Sequence, residues 1–495
     1  MKRLFISVVI LALTQTIFSQ HVNKVSVPLR VSMKKATLSG HLNTVVPQLM
    51  SAGDVPGLSI AVIKDGKVFL NQAYGVMNAG TKEPVTTDTV FEAASLSKPV
   101  FAYAVLKLVD AGKLDLDKPL VQYLGKSYID NDERQNLITA RRVLTHSTGF
   151  PNWRPDGQPL KIVFPPGERF SYSGEGFVFL QKVVEQMMGQ PLEVVMKQIV
   201  FDPLGMTSSS YVWRKDYETR KATGHDFSGN AGKRREPKDA NAAASLQTTS
   251  LDYAKFMIAV MNGTGLKDST RDAMASPQMK VDEGCSNCVN RPPTGKLSTN
   301  IFWGLGVGLQ QTSDGTAFWH WGDNGDVHCY MLAYPKSKVG VAIFTNSGNG
   351  HSIIPDIINE TLGGDQPVTA WLHYDSYRSP TRTFYKDVTA RGVTAVDEYR
   401  EKKKSGNAPY SMTEAQVNTL GYVFLNGSKR VPEAIAVFKM NVEDYPNSSN
   451  TYDSLAEAYG VAGEKELAIK NYERSIELNP KNETGIGALK KLRGQ

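Results

Sequence analysis

Residues 91–100 read FEAASLSKPV, and an apolar run with helical spacing continues from them over 100–111. Ser95 and Lys98 are three positions apart, so on a helix they share one face and the lysine amine can reach the serine hydroxyl. Burial beside a helix start favours the neutral amine, which can then accept the serine proton. The helix N-terminus also offers backbone N–H groups to a developing oxyanion. This stretch therefore predicts a nucleophilic serine that is activated by a lysine.

The S-x-x-K spacing is weak evidence by itself, because a chain rich in serine and lysine contains a few such matches by chance. Residues 32–35 read SMKK and have the same spacing. They lie in a polar N-terminal stretch where we expect no following helix, so we assign them no function. The match at Ser95 differs because a helical pattern follows it.

The N-terminus has the pattern of a secretory signal peptide. Residues 1–3 are Met-Lys-Arg, residues 4–13 are apolar, and polar and small residues follow to position 21. A run of this length is too short to span a bilayer, so residues 1–19 predict export to a periplasm or beyond. A buried strand or short helix is the alternative interpretation. We expect no lipid anchor, because no cysteine lies near the cleavage region, and no transmembrane segment further along.

Composition narrows the class of protein. The 495 residues are 41% hydrophobic and 21% charged, which excludes a disordered chain and a multi-span membrane protein. The net charge of +7 is small beside 56 basic and 49 acidic residues, so we expect a solvated surface and no nucleic-acid partner. Three cysteines are too few for a disulfide scaffold.

Strand patterns lie at both ends of the first 362 residues, and helical patterns lie between them. Residues 58–63 and 68–70 predict a hairpin with an Asp-Gly turn. Helical patterns cover 177–188 and begin again at 249–252, which has a capping-box pattern. Three later stretches predict strands: 304–310, 327–334 and 339–345. This order predicts one sheet whose first and last strands are neighbours, with a helical region inserted between them.

The C-terminal part has a different organisation. Residues 363–410 are polar and irregular, which predicts a linker with room for one helix. After it a 34-residue repeat pairs Ala434 with Ala468, Phe438 with Tyr472 and Pro446 with Pro480. This period, with units at 413–446 and 447–480, resembles the tetratricopeptide repeat. Residues 411–495 therefore predict a small all-α domain, either a peptide-binding groove or a stabilising appendage that packs on the main domain or forms a dimer contact.

Two further motifs follow the serine in the chain. Residues 165–174 read PPGERFSYSG, and the turn at their start would present Tyr172 at a loop tip. Residues 320–322 read HWG and precede a predicted strand. A glycine at such a place allows a backbone to approach a ligand closely.

With these motifs, residues 42–362 resemble the serine β-lactamase and penicillin-binding protein family, nearest to the class C enzymes, D-alanyl-D-alanine carboxypeptidases and related esterases. Landmarks in the family's order are LTHSTGF at 144–150, PGERF at 166–170, LGM at 204–206 and a predicted WGLG strand at 303–306. The resemblance implies an α/β fold for residues 20–362, with a β-lactamase/transpeptidase-like antiparallel sheet flanked by helices. It also implies an all-helical lobe, with the site between lobe and sheet.

The resemblance also implies residue roles. Ser95 is the acylated nucleophile and Lys98 is its proton acceptor. Tyr172 is the second acid/base, which protonates the leaving group and later activates water. His320 stands where the family has Lys or His and aligns the tyrosine and the substrate carboxylate. The oxyanion donors are the backbone N–H groups of Ser95 and Asp323.

Two departures from the family pattern bear on the substrate. The family's Tyr-x-Asn ends here in Gly174, which removes a contact to an acyl side-chain amide and favours esters or an unusual peptide. Glu175 is a candidate to replace that contact. Trp321 stands where the family has a small Thr or Ser and should narrow the mouth beside Gly322. Asp323 adds a negative charge that disfavours an anionic substrate unless Arg or Lys compensates.

The remaining cysteines and histidines have structural alternatives. In an exported chain Cys285 and Cys288 predict a local disulfide rather than half of a zinc site. Cys329 fits a buried strand position. His146 fits a structural turn residue better than a catalytic one, and His328 either faces the cleft or is structural.

Taken together, the sequence predicts an exported serine hydrolase that acts through an acyl-enzyme on Ser95, on an ester, a D-amino-acid peptide or amide, or a β-lactam. No metal or organic cofactor is implied. The expected partner is a small-molecule or short-peptide substrate, and residues 411–495 offer a surface for a protein partner or self-association. The alternative is a catalytically weak or silent β-lactamase-like domain that serves as a binding or scaffold protein through its helical repeats.

Overall fold

The structure is a computed structural model that describes residues 32–289 and 293–494. The predicted signal peptide, residues 1–19, lies outside this part of the chain. Within the described residues, no helix combines the length and the apolar character needed to cross a membrane.

An antiparallel sheet of eight strands organises the main domain, in the spatial order β2-β1-β10-β9-β8-β7-β6-β5. β1 pairs with β10, which confirms that the first and last strand stretches are neighbours. A small separate ladder joins β3 and β4. The strands are β1 Gly57–Lys64, β2 Lys67–Gly75, β3 Phe91–Glu92, β4 Gln247–Thr248, β5 Met279–Asp282, β6 Leu297–Trp303, β7 Gly308–Thr312, β8 Gly315–Asp323, β9 His328–Tyr334 and β10 Val339–Thr345.

The strand predicted over 304–310 is wrong in its first half. Residues 304–307 connect β6 to β7, and only the part from Gly308 onward is strand. Gly304 passes so close to the Met274 carbonyl that a side chain would not fit, and Gly306 has φ of 85° and lies against Ala102. The two glycines therefore allow a tight connection to pack against a neighbouring helix.

Helices cover both faces of the sheet, as the α/β prediction requires. Along β1, Leu58 and Ile60 belong to the core under α1 and α10, whereas Ala61 and Ile63 belong to the core of the opposite face. The helices of this domain are α1 Lys35–Gly53, α2 Ser97–Asp110, α3 Leu120–Leu124, α4 Ala140–Leu144, α5 Gly174–Met188, α6 Leu192–Met196, α7 Asp202–Leu204, α8 Ser250–Asn262, α9 Asp268–Met274, α10 Ile354–Thr361 and α11 Pro367–Trp371.

One detail of the N-terminal S-x-x-K match was predicted wrongly. A helix does follow it, because α1 begins at Lys35 itself. Both Ser32 and Lys35 are exposed. Burial, rather than the presence of a helix, is what separates this match from the one at Ser95.

The predicted linker is also wrong in its secondary structure. Residues 363–410 contain α11 and two longer helices, α12 Pro380–Arg391 and α13 Val393–Lys404. Phe384 and Val396 are fully buried in one core with Phe438 of the repeat region. The polar average of this stretch conceals an apolar helical face, and that face packs on the helices that follow.

The C-terminal residues form successive antiparallel helices. These are α14 Glu414–Tyr422, α15 Val431–Asp444, α16 Ser449–Ala462, α17 Lys465–Leu478 and α18 Glu483–Arg493. α15 and α17 begin 34 positions apart, which matches the period in the sequence. Ala434 and Ala468, which the repeat pairs, are fully buried, and so is Ala456 on α16.

Candidate active site

Ser95 lies in a short 3₁₀ turn, Ala94–Leu96, that runs directly into α2. Ala94 has φ of 45°, in the left-handed region where a side chain is strained. Ser97 holds this turn, since its hydroxyl donates to the Ala94 carbonyl and accepts from the backbone N–H of Leu246 at 3.0 Å. The turn leaves Ser95 accessible while the residues on either side of it are buried.

Lys98 is fully buried one turn further along the same helix. Its Nζ lies 3.0 Å from Ser95 Oγ and donates to the Ala243 carbonyl at 2.8 Å. Burial holds the pKa of Lys98 well below its usual value. A neutral amine in this position donates to Ala243 and turns its lone pair toward the serine hydroxyl.

Tyr172 lies in a segment that is held by three consecutive backbone N–H groups. Ser171 donates to the His146 carbonyl at 2.8 Å, and Ser173 donates to His146 Nδ1 at 2.9 Å. Tyr172 itself donates to the carbonyl of Ser286 at 3.0 Å. Two distant stretches of chain therefore fix the backbone on which the phenol is carried.

The Tyr172 phenol lies beside the Lys98 amine that contacts Ser95. Lys98 Nζ lies 4.8 Å from the centre of the tyrosine ring. Burial raises the pKa of Tyr172, and a hydrogen bond with the Ser95 hydroxyl acts in the opposite direction. The hydroxyl, the amine and the phenol thus meet at one point, as the sequence predicted.

His146 supports the tyrosine directly, although we expected mainly a turn residue. It does occupy a left-handed turn position, with φ of 52°. Its ring also stacks on Tyr172, with the ring centres 4.2 Å apart. Because Nδ1 accepts from Ser173, the proton of the neutral ring is on Nε2. Burial, with the Lys98 charge, holds the pKa of His146 far below its usual value.

We predict that His146→Ala lowers kcat by about 10- to 100-fold, because small misplacements of a catalytic group have effects of this size. His146→Asn should recover part of the loss, because an Asn side-chain oxygen can accept the Ser173 N–H and Asn tolerates a left-handed φ. The measurement is kcat and KM for ester hydrolysis, with thermal unfolding as the control. Equal loss of kcat in both variants would show that the acceptor at this position is unimportant.

His320 lies on β8 on the other side of the phenol. Its Nδ1–H donates to the Trp321 carbonyl at 2.7 Å, and its Nε2 lies 3.5 Å from the Tyr172 hydroxyl. Burial, with a smaller contribution from the Lys98 charge, lowers the pKa of His320 to about 3. The ring is therefore neutral, and its free nitrogen lone pair is available to the phenol.

The end of β8 passes close to the serine turn. Its pairing with β7 ends at Trp319, whereas its pairing with β9 continues to Asp323. A side chain at Gly322 would overlap Cys329 Sγ and the Ala93 carbonyl. The glycine therefore permits contact between two parts of the protein, whereas the sequence suggested a close approach to a ligand.

Comparison with known families gives the assignment. The family model described as beta-lactamase matches residues 42–358, which include the serine, lysine, tyrosine and histidine above. The chain belongs to the beta-lactamase family. It is 28% identical over 332 residues to penicillin-binding protein 4 of Amycolatopsis lactamdurans, a match that covers 62% of this chain and 85% of that protein.

Two other relatives are similar over shorter shares of their length. Esterase EstB of Burkholderia gladioli is 29% identical over 214 residues, 37% of this chain and 54% of the esterase. Protein flp of Staphylococcus aureus strain MRSA252 is 22% identical, and the match covers 62% of each protein. The family match and these relatives show a serine hydrolase of the β-lactamase type.

Solved structures agree with this beta-lactamase assignment. The octameric penicillin-binding protein homologue from Pyrococcus abyssi has a TM-score of 0.55 and 25% identity, over 71% of this chain and 82% of that one. D-alanine carboxypeptidase AmpC from Burkholderia cenocepacia has a TM-score of 0.53 and 20% identity, over 63% of this chain and 95% of that one. The predicted fold class is confirmed.

The departures of this beta-lactamase family member from the family motifs have local explanations. A side chain at Gly174 would overlap the ring of Trp153. Trp153 is 45% exposed, and its ring centre lies 5.9 Å from Lys98 Nζ. We did not anticipate Trp153, although a glycine in place of a larger family residue is a sequence signal for a bulky neighbour.

Glu175, the candidate to replace the missing Asn contact, is engaged by Arg154. Its carboxylate accepts from Arg154 Nε at 2.9 Å and Nη2 at 2.7 Å, so both oxygens are engaged. Trp321 agrees better with its prediction, since it is half-buried and its ring centre lies 4.7 Å from that of Tyr172. Trp153 and Trp321 therefore give this site aromatic surroundings.

Asp323, His328 and His351 place one ligand-type atom each within 4.8 Å of one another. The two imidazole rings stack at 3.8 Å and 8°, so their in-plane lone pairs run parallel and do not converge on one ion. His328 Nδ1 accepts from the His351 backbone, and its Nε2 lies 3.2 Å from the Asp323 carboxylate. Burial would raise the pKa of Asp323, but the hydrogen bond and charge of His328 hold it low. The geometry suits a hydrogen-bonded group better than a metal site.

The cysteines are arranged as the disulfide interpretation predicted. Cys285 and Cys288 form a disulfide, with Cα atoms 5.6 Å apart, so neither sulfur is free to bind zinc. Cys329 is a buried free thiol on β9 and lies 3.0 Å from the Ala93 carbonyl. Burial raises the pKa of Cys329 well above its usual value, so it is not a reactive thiolate.

Proposed function

We propose that the protein hydrolyses an ester or amide bond through an acyl-enzyme on Ser95. The observation that supports this most directly is that the buried Lys98 amine lies 3.0 Å from the Ser95 hydroxyl and 4.8 Å from the centre of the Tyr172 ring. Lys98 takes the serine proton as Oγ attacks the substrate carbonyl. The backbone N–H groups of Ser95 and Asp323 stabilise the oxyanion.

The proton then has a short path to the leaving group. As the tetrahedral intermediate collapses, the Tyr172 hydroxyl donates its proton to the leaving oxygen or nitrogen, and Lys98 restores it. In deacylation the attacking water gives a proton to the Tyr172 oxygen while the phenol passes its own proton to the neutral Lys98 amine, and the resulting Lys98 ammonium then protonates the departing Ser95 Oγ. The neutral His320 ring, 3.5 Å from the phenol, aligns it and accepts its hydrogen bond.

For the substrate we propose esters with an apolar acyl group, ahead of D-amino-acid peptides or amides and then β-lactams. Trp153 and Trp321 offer aromatic faces, and the family's Asn amide contact is missing at Gly174. A separate cavity of about 840 Å³ is lined by Ala244, Asn324 and Asp326 among others, and none of the catalytic side chains lines it.

The protein can also accommodate a substrate that carries a carboxylate. The same cavity is lined by four basic side chains, Lys233, Arg234, Arg235 and Lys238. Arg235 forms ion pairs with Glu92 and Asp326, and Arg234 forms one with Glu236. Lys233 and Lys238 are therefore the most available of the four for a substrate carboxylate. A substrate carboxylate that reaches this cavity would therefore meet two lysines.

Covalent labelling tests the proposed function. We predict that a fluorophosphonate modifies the intact protein once and that mass spectrometry maps the adduct to the peptide carrying Ser95. The same sample should hydrolyse p-nitrophenyl esters faster than a D-Ala-D-Ala peptide or nitrocefin. A protein that neither labels nor turns over any of the three, with Tyr172→Phe indistinguishable from wild type, would instead be the silent binding protein.

We propose the following organisation for the whole chain: a signal peptide at 1–19 and export to the periplasm or beyond, the hydrolase at 20–362, a helical connection at 363–410 and tetratricopeptide-like repeats at 411–495. The relatives named above support the hydrolase, and the 34-residue helical period supports the repeats. The Phe227 ring packs against Tyr385 and under Arg382, so the helical part is attached to the hydrolase. A protein partner or second copy would bind the outer surface of these repeats.

A further inference from the structure

The disulfide loop, residues 282–289, contacts the candidate catalytic tyrosine. The carbonyl of Ser286, between the two bridged cysteines, accepts the backbone N–H of Tyr172 at 3.0 Å. Tyr172 is 4% exposed, so water does not readily replace this acceptor. The proposed function does not use Cys285 and Cys288. This contact nevertheless connects their loop to Tyr172, on which the proposed proton transfers depend.

The base of the disulfide loop is fixed independently of the bridge. Asp282 accepts from the Gly284 N–H at 3.0 Å and from the Thr294 hydroxyl at 2.9 Å. Its carbonyl accepts from the Trp371 indole at 2.8 Å. Breaking the bridge would therefore leave Asp282 in place and release mainly the tip of the loop.

The tip of the loop is held by the bridge and by burial of the cysteines. Cys285 is 9% and Cys288 is 1% exposed, whereas Asn287 between them is exposed. A bridge that closes so short a segment constrains the unfolded chain much less than one that closes a long loop. Its main effect is therefore local, on the direction of the Ser286 carbonyl.

We propose that the Cys285–Cys288 disulfide is a positioning element for Tyr172, and that a dithiol reductant lowers the activity by breaking it. In this step the dithiol supplies two electrons and two protons. The S–S bond breaks to give two cysteine thiols, and the dithiol becomes a cyclic disulfide. The released tip no longer holds the Ser286 carbonyl on the Tyr172 N–H, while His146 keeps the flanking N–H groups of Ser171 and Ser173. This inference rests on the proposed function.

The test compares the oxidised and reduced forms of the full chain. We expect dithiothreitol to raise the number of titratable thiols under denaturing conditions from one to three. It should lower kcat for a p-nitrophenyl ester about tenfold with little change in KM, because a displaced catalytic group affects the chemical steps. Reoxidation should restore kcat. Full kcat in a sample with three titrated thiols would overturn the inference.

Two variants serve as controls. The double variant Cys285→Ala with Cys288→Ala should have the kcat of the reduced wild type and should not respond to dithiothreitol. That variant has no disulfide left to reduce, so a response to dithiothreitol in it would overturn the inference. Asn287→Ala should keep wild-type kcat, because this exposed side chain lies in the same loop and takes no part in the contact with Tyr172. If turnover by oxidised protein does not depend on Ser95, the proposed function fails, and this result is distinct from a failure of the redox response.

Discussion

Ser95→Ala should abolish ester hydrolysis, with kcat/KM at least about 10³-fold below wild type, because removing the nucleophile leaves only binding and oxyanion stabilisation. The fold should be unaffected. The side chain is small and partly accessible, and the strained turn at Ala94 is held by Ser97 rather than by Ser95. The measurement is steady-state hydrolysis of a p-nitrophenyl ester together with fluorophosphonate labelling and thermal unfolding.

The chain contains a matched control for this variant. Ser32 and Lys35 have the same S-x-x-K spacing, and both are exposed. Ser32→Ala should therefore keep wild-type activity and labelling. If Ser95→Ala retained hydrolysis or the label, another nucleophile would be responsible and the proposed acyl-enzyme would have to be abandoned.

The overall fold was largely predictable because its strands have strong local patterns. The apolar run at 339–345 and the hairpin at 58–63 are strands that neighbour each other in the sheet, as expected. The connection at 304–307 was misassigned because it depends on the close approach of Gly306 to α2, a property of tertiary packing. Residues 363–410 were misassigned because average polarity hides the apolar face that packs in the C-terminal core.

The candidate site was predictable where side chains carry its chemistry. Ser95, Lys98, Tyr172 and His320 were singled out from spacing and motif, and the structure brings the four together. The backbone acceptors could not be found in this way, because any residue can supply the carbonyl that Ala243 or Ser286 provides. The engagement of a predicted side chain by an unforeseen partner, as with Glu175 and Arg154, is likewise visible only in three dimensions.

The burial of Lys98 links activity to stability. An amine whose pKa is lowered in the folded protein binds fewer protons there than in the unfolded chain, over the range from that lowered pKa up to 10.5. The free energy of unfolding therefore rises with pH across this range. Each unit by which the pKa is lowered costs about 1.4 kcal/mol of stability at pH values below the folded pKa. The site thus maintains a neutral base at the expense of stability.

Lys98→Met should consequently have opposite effects on rate and stability. Acylation by the fluorophosphonate and kcat/KM for esters should fall by about 10²- to 10⁴-fold, the usual contribution of a general base. The melting temperature at pH 7 should rise, and its increase with pH should become weaker. In wild type the acylation rate should increase as the pH rises through the lowered pKa of Lys98. This pH-dependent increase should be missing in Lys98→Met.

Lys107→Met provides the comparison within the same helix. Lys107 also lies on α2, donates to the Ile199 carbonyl at 2.7 Å and has its pKa lowered by burial, but it is two and a half turns beyond Lys98. Its replacement should leave the acylation rate and its pH dependence unchanged, because it removes an amine that has no contact with Ser95. Equal losses of acylation rate in the two variants would mean that replacing either buried lysine of α2 by methionine disturbs the helix, and that the loss is not specific to Lys98. Unchanged acylation in Lys98→Met would mean that another group takes the serine proton, and Tyr172 is the side chain in contact with Ser95 that could do so.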